Sequence, residues 1–291
     1  MPRFFVPRDQ IENGVVTILG DDAHHISRSL RMAAGERITV CDMAGQEFTC
    51  ALSAFCPDHV EATVESARAC ESEPPFVACL YQALPKGEKL DSIIQKSVEC
   101  GVSSITTFMS ERCIAKEKGE EENKLRRRNK IALEAAKQSG RGIVPPVNPT
   151  VSFREMLSRA AEADLALFCY EDEDARSLRA VLDTFVSGQA YDGMLRAMTE
   201  ARPGSVLDLV NGVDRGEYTD EETERFRKAF SEERARPTIA IVIGSEGGFS
   251  PDEAERAREA GLITVGLGKR ILRTETASSF VLGCLCYALE L

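Results

Sequence analysis

Apolar and polar positions follow two different rhythms along this chain. Up to about residue 72 the runs are short and alternating. "VVTILG" (Val15–Gly20), "RITVCD" (Arg37–Asp42), "EFTCALSAF" (Glu47–Phe55) and "HVEATVESA" (His59–Ala67) predict half-buried strands. "DMAGQ" (Asp42–Gln46) supplies a turn between two of them. One helical piece interrupts, "DDAHHISRSLRM", with Asp21 or Asp22 as cap and Ile26 and Leu30 on one face. Closely spaced short strands suggest a small barrel. "ESEPP" (Glu71–Pro75) reads as a linker.

From Phe76 the rhythm changes. "FVACLYQAL", "ITTFMS", "LALFCY", "TIAIVIG" and "ITVGLG" are continuous apolar runs, as strands buried on both faces require. Helical segments separate them. "KLDSIIQKSVECG" places Ile93, Ile94, Ser97 and Val98 on one side and stops at Gly101. A longer helix covers roughly Asn123 to Ser139 and ends at "GRG". Strand and helix alternate, which predicts an α/β fold with a parallel sheet. Between Tyr170 and Pro237 the pattern weakens, although "SLRAVLDTFVSG" and "ETERFRKAF" read as helical. An insertion at about 172–237 accounts for this stretch.

Composition narrows the class. The 291 residues are 43% apolar and 29% charged, a globular balance. No apolar stretch is long enough to span a membrane, and the start carries no secretory pattern. Ten cysteines sit singly in apolar segments, without a Cys-x-x-Cys pair or a zinc pattern with the three histidines. They read as reduced fillers in a cytoplasmic protein, with no metal expected. The net charge of −11 opposes a nucleic-acid partner in bulk. Its distribution is uneven, however: acid runs lie at 171–174 and 220–224, and basic residues gather at "KLRRRNK" and around Arg28, Arg31, Lys86, Lys89 and Lys96. A locally basic face remains open.

Candidate chemistry lies near the C-terminus. "IAIVIGSEGGFSPDEAERAREAG" runs from a strand through a glycine-rich loop into a helix. Ser250-Pro251-Asp252-Glu253 is a complete helix start, with cap, first-turn proline and capping-box glutamate. The loop matches neither phosphate-binding glycine pattern, which makes a dinucleotide oxidoreductase a poor reading. Gly244, Gly247 and Gly248 let a ligand lie against bare backbone, and Glu246 stands where a phosphate cradle wants lysine. A second loop, "GLGKRILRTETA", carries Gly266 and Gly268 and then Lys269, Arg270 and Arg273, with Thr274 or Thr276 as cap of a last apolar helix. Two glycine loops at neighbouring strand ends, one acidic and one basic, predict a cleft between a cationic cofactor and an anionic substrate.

These two motifs, "IGSEGGFSPDE" and "LGKRILRTETA", resemble the family of methyltransferases that methylate N3 of a uridine in 16S ribosomal RNA. "RFF", "HHISRSLRMAAGERI", "KGEKLDSIIQKSVECGVSSI", "SERC" and "IALEAAKQSGRGIVPPV" are similar to that family's segments in the same order. The family usually has proline where Ser245 stands, and a shorter connection than 172–237. The resemblance implies a PUA-like N-terminal β-barrel for RNA over 1–72. It implies a SPOUT-type α/β methyltransferase domain over 76–291 whose C-terminal part is a trefoil knot. It further implies S-adenosylmethionine as cofactor, the small ribosomal subunit as partner, and a homodimer. A SPOUT enzyme for another RNA, or an RNA-binding accessory protein without activity, are the alternatives.

The same resemblance assigns residues. Ile243, Gly244, Glu246, Gly247, Gly248, Leu267, Gly268, Ile271, Leu272, Thr276 and Ala277 would hold the cofactor. Arg273 would stabilise the uridine anion, and Glu246 would accept its proton or position the cofactor. Arg3, Arg28, Arg31, Lys86, Lys89, Arg112, Gln138 and Arg141 would contact RNA. A bridge from Arg273 to Glu275 and a solvated helix face for Arg28 and Arg31 are the competing structural roles.

Overall fold

The computed structural model describes residues 1–114, 121–170, 175–188 and 236–291. Most of the insertion expected at 172–237 therefore lies outside the described residues, as do both acid runs and the segment "ETERFRKAF". The chain divides into two compact units. One comprises Met1–Pro74, Gly87–Thr106 and Lys116–Pro149, and the other Pro75–Lys86, Thr107–Ala115 and Thr150–Leu291.

In the first unit, β1 (Arg3–Phe5), β2 (Ile11–Glu12), β3 (Val15–Leu19), β4 (Arg37–Cys41), β5 (Gln46–Phe55) and β6 (His59–Ala69) form one sheet, in the order β1-β4-β5-β6-β3-β2. β1 pairs with β4 in parallel, and the other pairings are antiparallel. Alternation sends Val16, Ile18, Ile38, Val40, Cys50, Leu52, Val60 and Ala62 into a core with Phe4, Val6, Ala23 and Ile26. The turn after β4 forms as its residues predict: Asp42 Oδ1 accepts from the amides of Ala44 and Gln46, at 2.8 and 3.0 Å.

The helix expected over 21–32 is a correction. A short α1 (Gly20–His24) widens into a π-turn over His25–Ser29, and Arg31 leaves it with φ 51°. The wider turn rotates residue i+4 off the face of residue i. Ile26 is fully buried as expected, but Leu30 is 41% exposed. In α2 (Lys89–Glu99), Leu90, Ile93, Ile94, Ser97 and Val98 are buried, and the helix packs against α3 (Glu121–Ser139). Gly101 ends α2 with φ 84°, where a Cβ would meet the Pro74 ring at 2.6 Å.

The second unit carries most of a seven-stranded sheet: β7 (Val77–Ala83), β8 (Ser104–Met109), β9 (Val147–Ser152), β10 (Leu165–Cys169), β11 (Arg176–Ser177), β12 (Thr238–Ile243) and β13 (Ile263–Gly266). Their order is β11-β13-β10-β12-β7-β8-β9, and the pairings from β11 through β7 are parallel. β9 and the following α4 (Phe153–Ala160) were not expected from the pattern. Ser152 caps α4 by accepting the Glu155 amide, the Ser-x-x-Glu signature of a helix start. Residues 178–188 form α5. Helices α6 (Pro251–Glu259) and α7 (Thr274–Leu289) follow β12 and β13. Phe108, Phe153, Phe168 and Phe249 form the aromatic centre of this unit's core. Among the described residues no helix is long and apolar enough to cross a membrane, and no disulfide is present.

Candidate active site

The site lies where the C-terminal ends of β10, β12 and β13 come together. Parallel strands release their loops at one edge of the sheet, so both glycine loops emerge on the same side. They do not leave adjacent strands, as the sequence suggested. β10 separates β12 from β13, and its last residues stand between the two loops. The result is one cavity of about 390 Å³, lined from three strand ends. Cys169 and Tyr170 come from β10, Ile243 to Phe249 from β12, and Val265, Leu267, Gly268, Arg270, Ile271 and Leu272 from β13. Arg112, Thr274 and Ala277 complete the wall.

The first loop is fastened from several directions. Gly248 N–H donates to the Ser245 carbonyl at 2.9 Å, closing a tight turn in which Gly248 has φ 65°. Phe249 is buried, its ring 4.2 Å from that of Phe168 and 6.3 Å from that of Phe108, stacked on the latter. α6 begins with the capping box predicted for it. Ser250 Oγ accepts from the Glu253 amide at 3.2 Å, and Glu253 Oε2 accepts from the Ser250 amide at 3.0 Å. The Gly244 carbonyl accepts from Thr274 Oγ1 at 2.7 Å and from Gln82 Nε2 at 3.3 Å, and Gln82 Nε2 also donates to Thr274 Oγ1 at 2.8 Å. This small network ties the end of β7, the first loop and the start of α7 into one piece. Thr274 thus serves the loop and does not cap α7. Arg273 is the N-cap residue, without a side-chain capping bond.

The charged residues on the wall are Glu246, Arg112 and Arg270. Glu246 is exposed, and both carboxylate oxygens accept from the Lys86 amide, at 3.1 and 3.3 Å. Arg112 Nη1 donates to the Gly247 carbonyl at 3.1 Å, and Ser245 Oγ donates to the Arg112 carbonyl at 3.4 Å. A hydroxyl contact therefore fastens the loop at Ser245. Burial pushes the Cys169 thiol up to about 12, so it stays protonated and contributes shape to the wall, not a nucleophile. Among the described residues no group of His, Cys, Asp and Glu is arranged to hold a metal.

Two family models match this chain. One, described as an RNA methyltransferase domain, covers residues 72–191 and 207–286, and so spans both loops and the cavity. The other, an RNA methyltransferase PUA domain, covers 18–65. Ribosomal RNA small subunit methyltransferase E of Bacillus subtilis strain 168 is 31% identical over 295 residues, covering 100% of this chain and 98% of that relative. The chain belongs to the ribosomal RNA small subunit methyltransferase E family. The family member from Mycobacterium bovis is 25% identical over 96% of this chain and 89% of its own length. A crystal structure of the Neisseria gonorrhoeae family member, bound to S-adenosyl methionine, superposes with a TM-score of 0.71 at 27% identity, covering 99% of this chain and 97% of that one.

Of the residues that family resemblance assigned to the cofactor, Ile243, Gly244, Glu246, Gly247, Gly248, Leu267, Gly268, Ile271, Leu272 and Ala277 share the one wall. Thr276 does not line it. It is exposed in the first turn of α7. Arg273 is likewise exposed and off the wall, and it makes no ion pair with Glu275 or with any other described residue. Arg112, expected to contact RNA, is on the wall.

Two other arginines expected at RNA are engaged elsewhere. Arg141 is 3% exposed, its guanidinium bonded to the Glu73 carboxylate at 2.6 Å and to the carbonyls of Val98 and Val102. A phosphate reaches it only by breaking a buried pair, which costs several kcal/mol, about 3–5. Arg3 is mostly buried against Glu47 at 2.9 Å and the Cys41 thiol. Arg28, Arg31, Lys86 and Gln138 are exposed, and Lys89 is half-buried. Gln138 lines a separate surface groove between α2 and α3.

Sequence reasoning missed Cys169, Tyr170, Val265 and Gln82 as parts of the site. "LALFCY" ends in the same way as the other two strands, but only the strand order brings its end between the loops.

Proposed function

We propose that this chain transfers a methyl group from S-adenosylmethionine to N3 of a specific uridine in 16S ribosomal RNA. The observation that carries the proposal is the single cavity walled by both glycine loops in a member of this family. Its size is that of a small-molecule site, roughly 300–1,000 Å³. Its lining suits the cofactor. Gly248 and Gly268 hold positive φ with open space where a Cβ would stand, so a ligand meets backbone at both loops. Leu267, Leu272, Ala277 and Tyr170 offer apolar flanks for an adenosine.

S-adenosylmethionine supplies a methyl group on a sulfonium: the bond from N3 to the methyl carbon forms as the carbon–sulfur bond breaks, its electron pair staying on a neutral thioether. The chain's own part is orientation, which supplies roughly 7–11 kcal/mol when reacting groups are held in line. Glu246, fixed by the Lys86 amide, takes the N3 proton and passes it to water. Arg273, exposed and without an ion partner among the described residues, offers positive charge to the uridine as it becomes an anion.

RNA reaches the protein through a PUA-like barrel formed by the sheet of residues 1–72, with Arg28, Arg31, Lys86 and Lys89 on phosphates. Residues 76–291 act as a SPOUT-type domain. A trefoil knot in its C-terminal part is supported by the chain path: β13 lies beyond β10, yet Thr274 returns to bond the loop after β12. A homodimer is supported by α7, where Phe280 and Tyr287 are exposed seven positions apart, on one face of the helix. The setting is the cytoplasm, where the small subunit is assembled.

Nucleoside mass spectrometry of 16S ribosomal RNA from cells with and without the protein tests the reaction. The N3-methylated uridine disappears without the protein. Its persistence, or loss of a different modification, overturns the proposal.

A further inference from the structure

Arg112 was expected on an RNA phosphate, yet it stands on the cavity wall, and its backbone is held unusually firmly for an exposed residue. The Glu111 amide donates to Glu253 Oε1 at 2.8 Å, while the other oxygen of the same carboxylate closes the capping box on Ser250. Glu253 is buried, so one carboxylate fastens both the start of α6 and the turn that carries Arg112. On the far side, the Arg112 carbonyl accepts from Ser245 Oγ, and its Cβ packs against Gly247, where an added Cβ would sit 3.0 Å away. A guanidinium has five N–H donors. One meets the Gly247 carbonyl, and no carboxylate among the described residues neutralises the charge. A fixed, unneutralised cation on the wall of a methyl-transfer site suits a substrate atom that gains negative charge.

We propose that Arg112 is a second cation presented to the methyl-accepting base, and that Glu253 is a positioning residue acting on it through the Glu111 amide. The inference rests on the uridine methyltransferase reading. It adds to that reading a link between a helix cap and the substrate.

The test is a double-mutant cycle of Arg112→Ala and Glu253→Ala on purified protein. Methyl transfer to small subunits lacking the modification is measured together with S-adenosylmethionine affinity by calorimetry and amide hydrogen exchange. Arg112→Ala is expected to lower kcat roughly a hundredfold, as loss of one preorganised charge donor does. Donor affinity should fall by no more than about threefold: alanine gives up the Gly247 contact but keeps the carbonyl that holds Ser245, and the proposed catalytic contact is to the base. Glu253→Ala should speed exchange of the Glu111 amide and lower kcat roughly tenfold in the Arg112 background, but not in the Arg112→Ala background. If Glu253→Ala does not fold, Glu253→Gln replaces it, keeping one of the two acceptor contacts. Full kcat in Arg112→Ala overturns the inference. So does a Glu253 effect of equal size in both backgrounds, which means helix capping alone. An inactive wild-type protein overturns the methyltransferase reading and this inference with it, whereas an active wild type with an indifferent Arg112 overturns the inference alone.

Discussion

The two glycine loops border the same cavity but are held in opposite ways. The loop from Gly244 to Ser250 is anchored at almost every residue. Gly244 is tied by Thr274 and Gln82, Ser245 and Gly247 by Arg112, Glu246 by Lys86, and Phe249 by the aromatic core. The loop from Leu267 to Arg273 has little of this. Lys269, Arg270 and Arg273 make no ion pair among the described residues, and Ile271 is 84% exposed. The contrast separates two jobs. A loop that fixes the geometry of a reacting centre has to be overdetermined by its surroundings. A loop that waits for ligand or RNA keeps its groups uncommitted, and its order comes with binding.

Pulling the anchor of the first loop should have the greatest consequence. Phe249→Ala removes a buried ring that touches Phe168 and Phe108. It should cost about 3–5 kcal/mol in denaturant unfolding, and S-adenosylmethionine affinity should fall with it. A loss below about 1 kcal/mol would mean that the ring is not the anchor, since buried-ring deletions cost several times that. Gly248→Val comes next. Space is open around Gly248, so the penalty is backbone strain at φ 65°, about 1–2 kcal/mol, together with a side chain directed at the ligand. The fold should survive and calorimetry should find no donor binding. Normal affinity there would remove Gly248 from the site. Ser250→Ala sharpens the picture further. It deletes only the hydroxyl half of the capping box and should cost about 1 kcal/mol. A negligible change would mean that Glu253 alone holds the helix start.

How much of this was legible follows from the same contrast. The first loop was readable because its fastenings are local: Ser250, Pro251 and Glu253 form a cap within four residues, and Gly248 marks its own positive φ. The alternating strands up to residue 69 and the apolar runs of the parallel sheet were equally local signals. What escaped was long-range. No pattern in "LALFCY" announces that β10 lies between β12 and β13. Nothing in Gln82 or Thr274 predicts a hydrogen bond across 192 positions. The burial of Arg141 depends on Glu73, 68 residues away, so a motif arginine was read as free when it is a structural cation. The face of Leu30 was misjudged for a local reason, a π-turn that helical periodicity does not foresee.

The smallest expected effect on stability is the most telling for the second loop. Arg273 is exposed, is bonded to no described side chain, and contributes to α7 through its carbonyl, which accepts from the amides of Thr276 and Ala277. Alanine retains that carbonyl. Arg273→Ala should therefore shift the unfolding free energy by less than about 0.5 kcal/mol, as surface substitutions do. Methyl transfer should nevertheless slow, because the charge removed is one reserved for the substrate. These two readouts separate the cases. A stability loss above about 1 kcal/mol would place Arg273 among the fastenings and erase the difference between the loops. An unchanged rate with unchanged stability would leave the loop as uncommitted as it looks but remove Arg273 from the reaction. Only a slower rate at constant stability fits a loop whose charges are held back until RNA arrives.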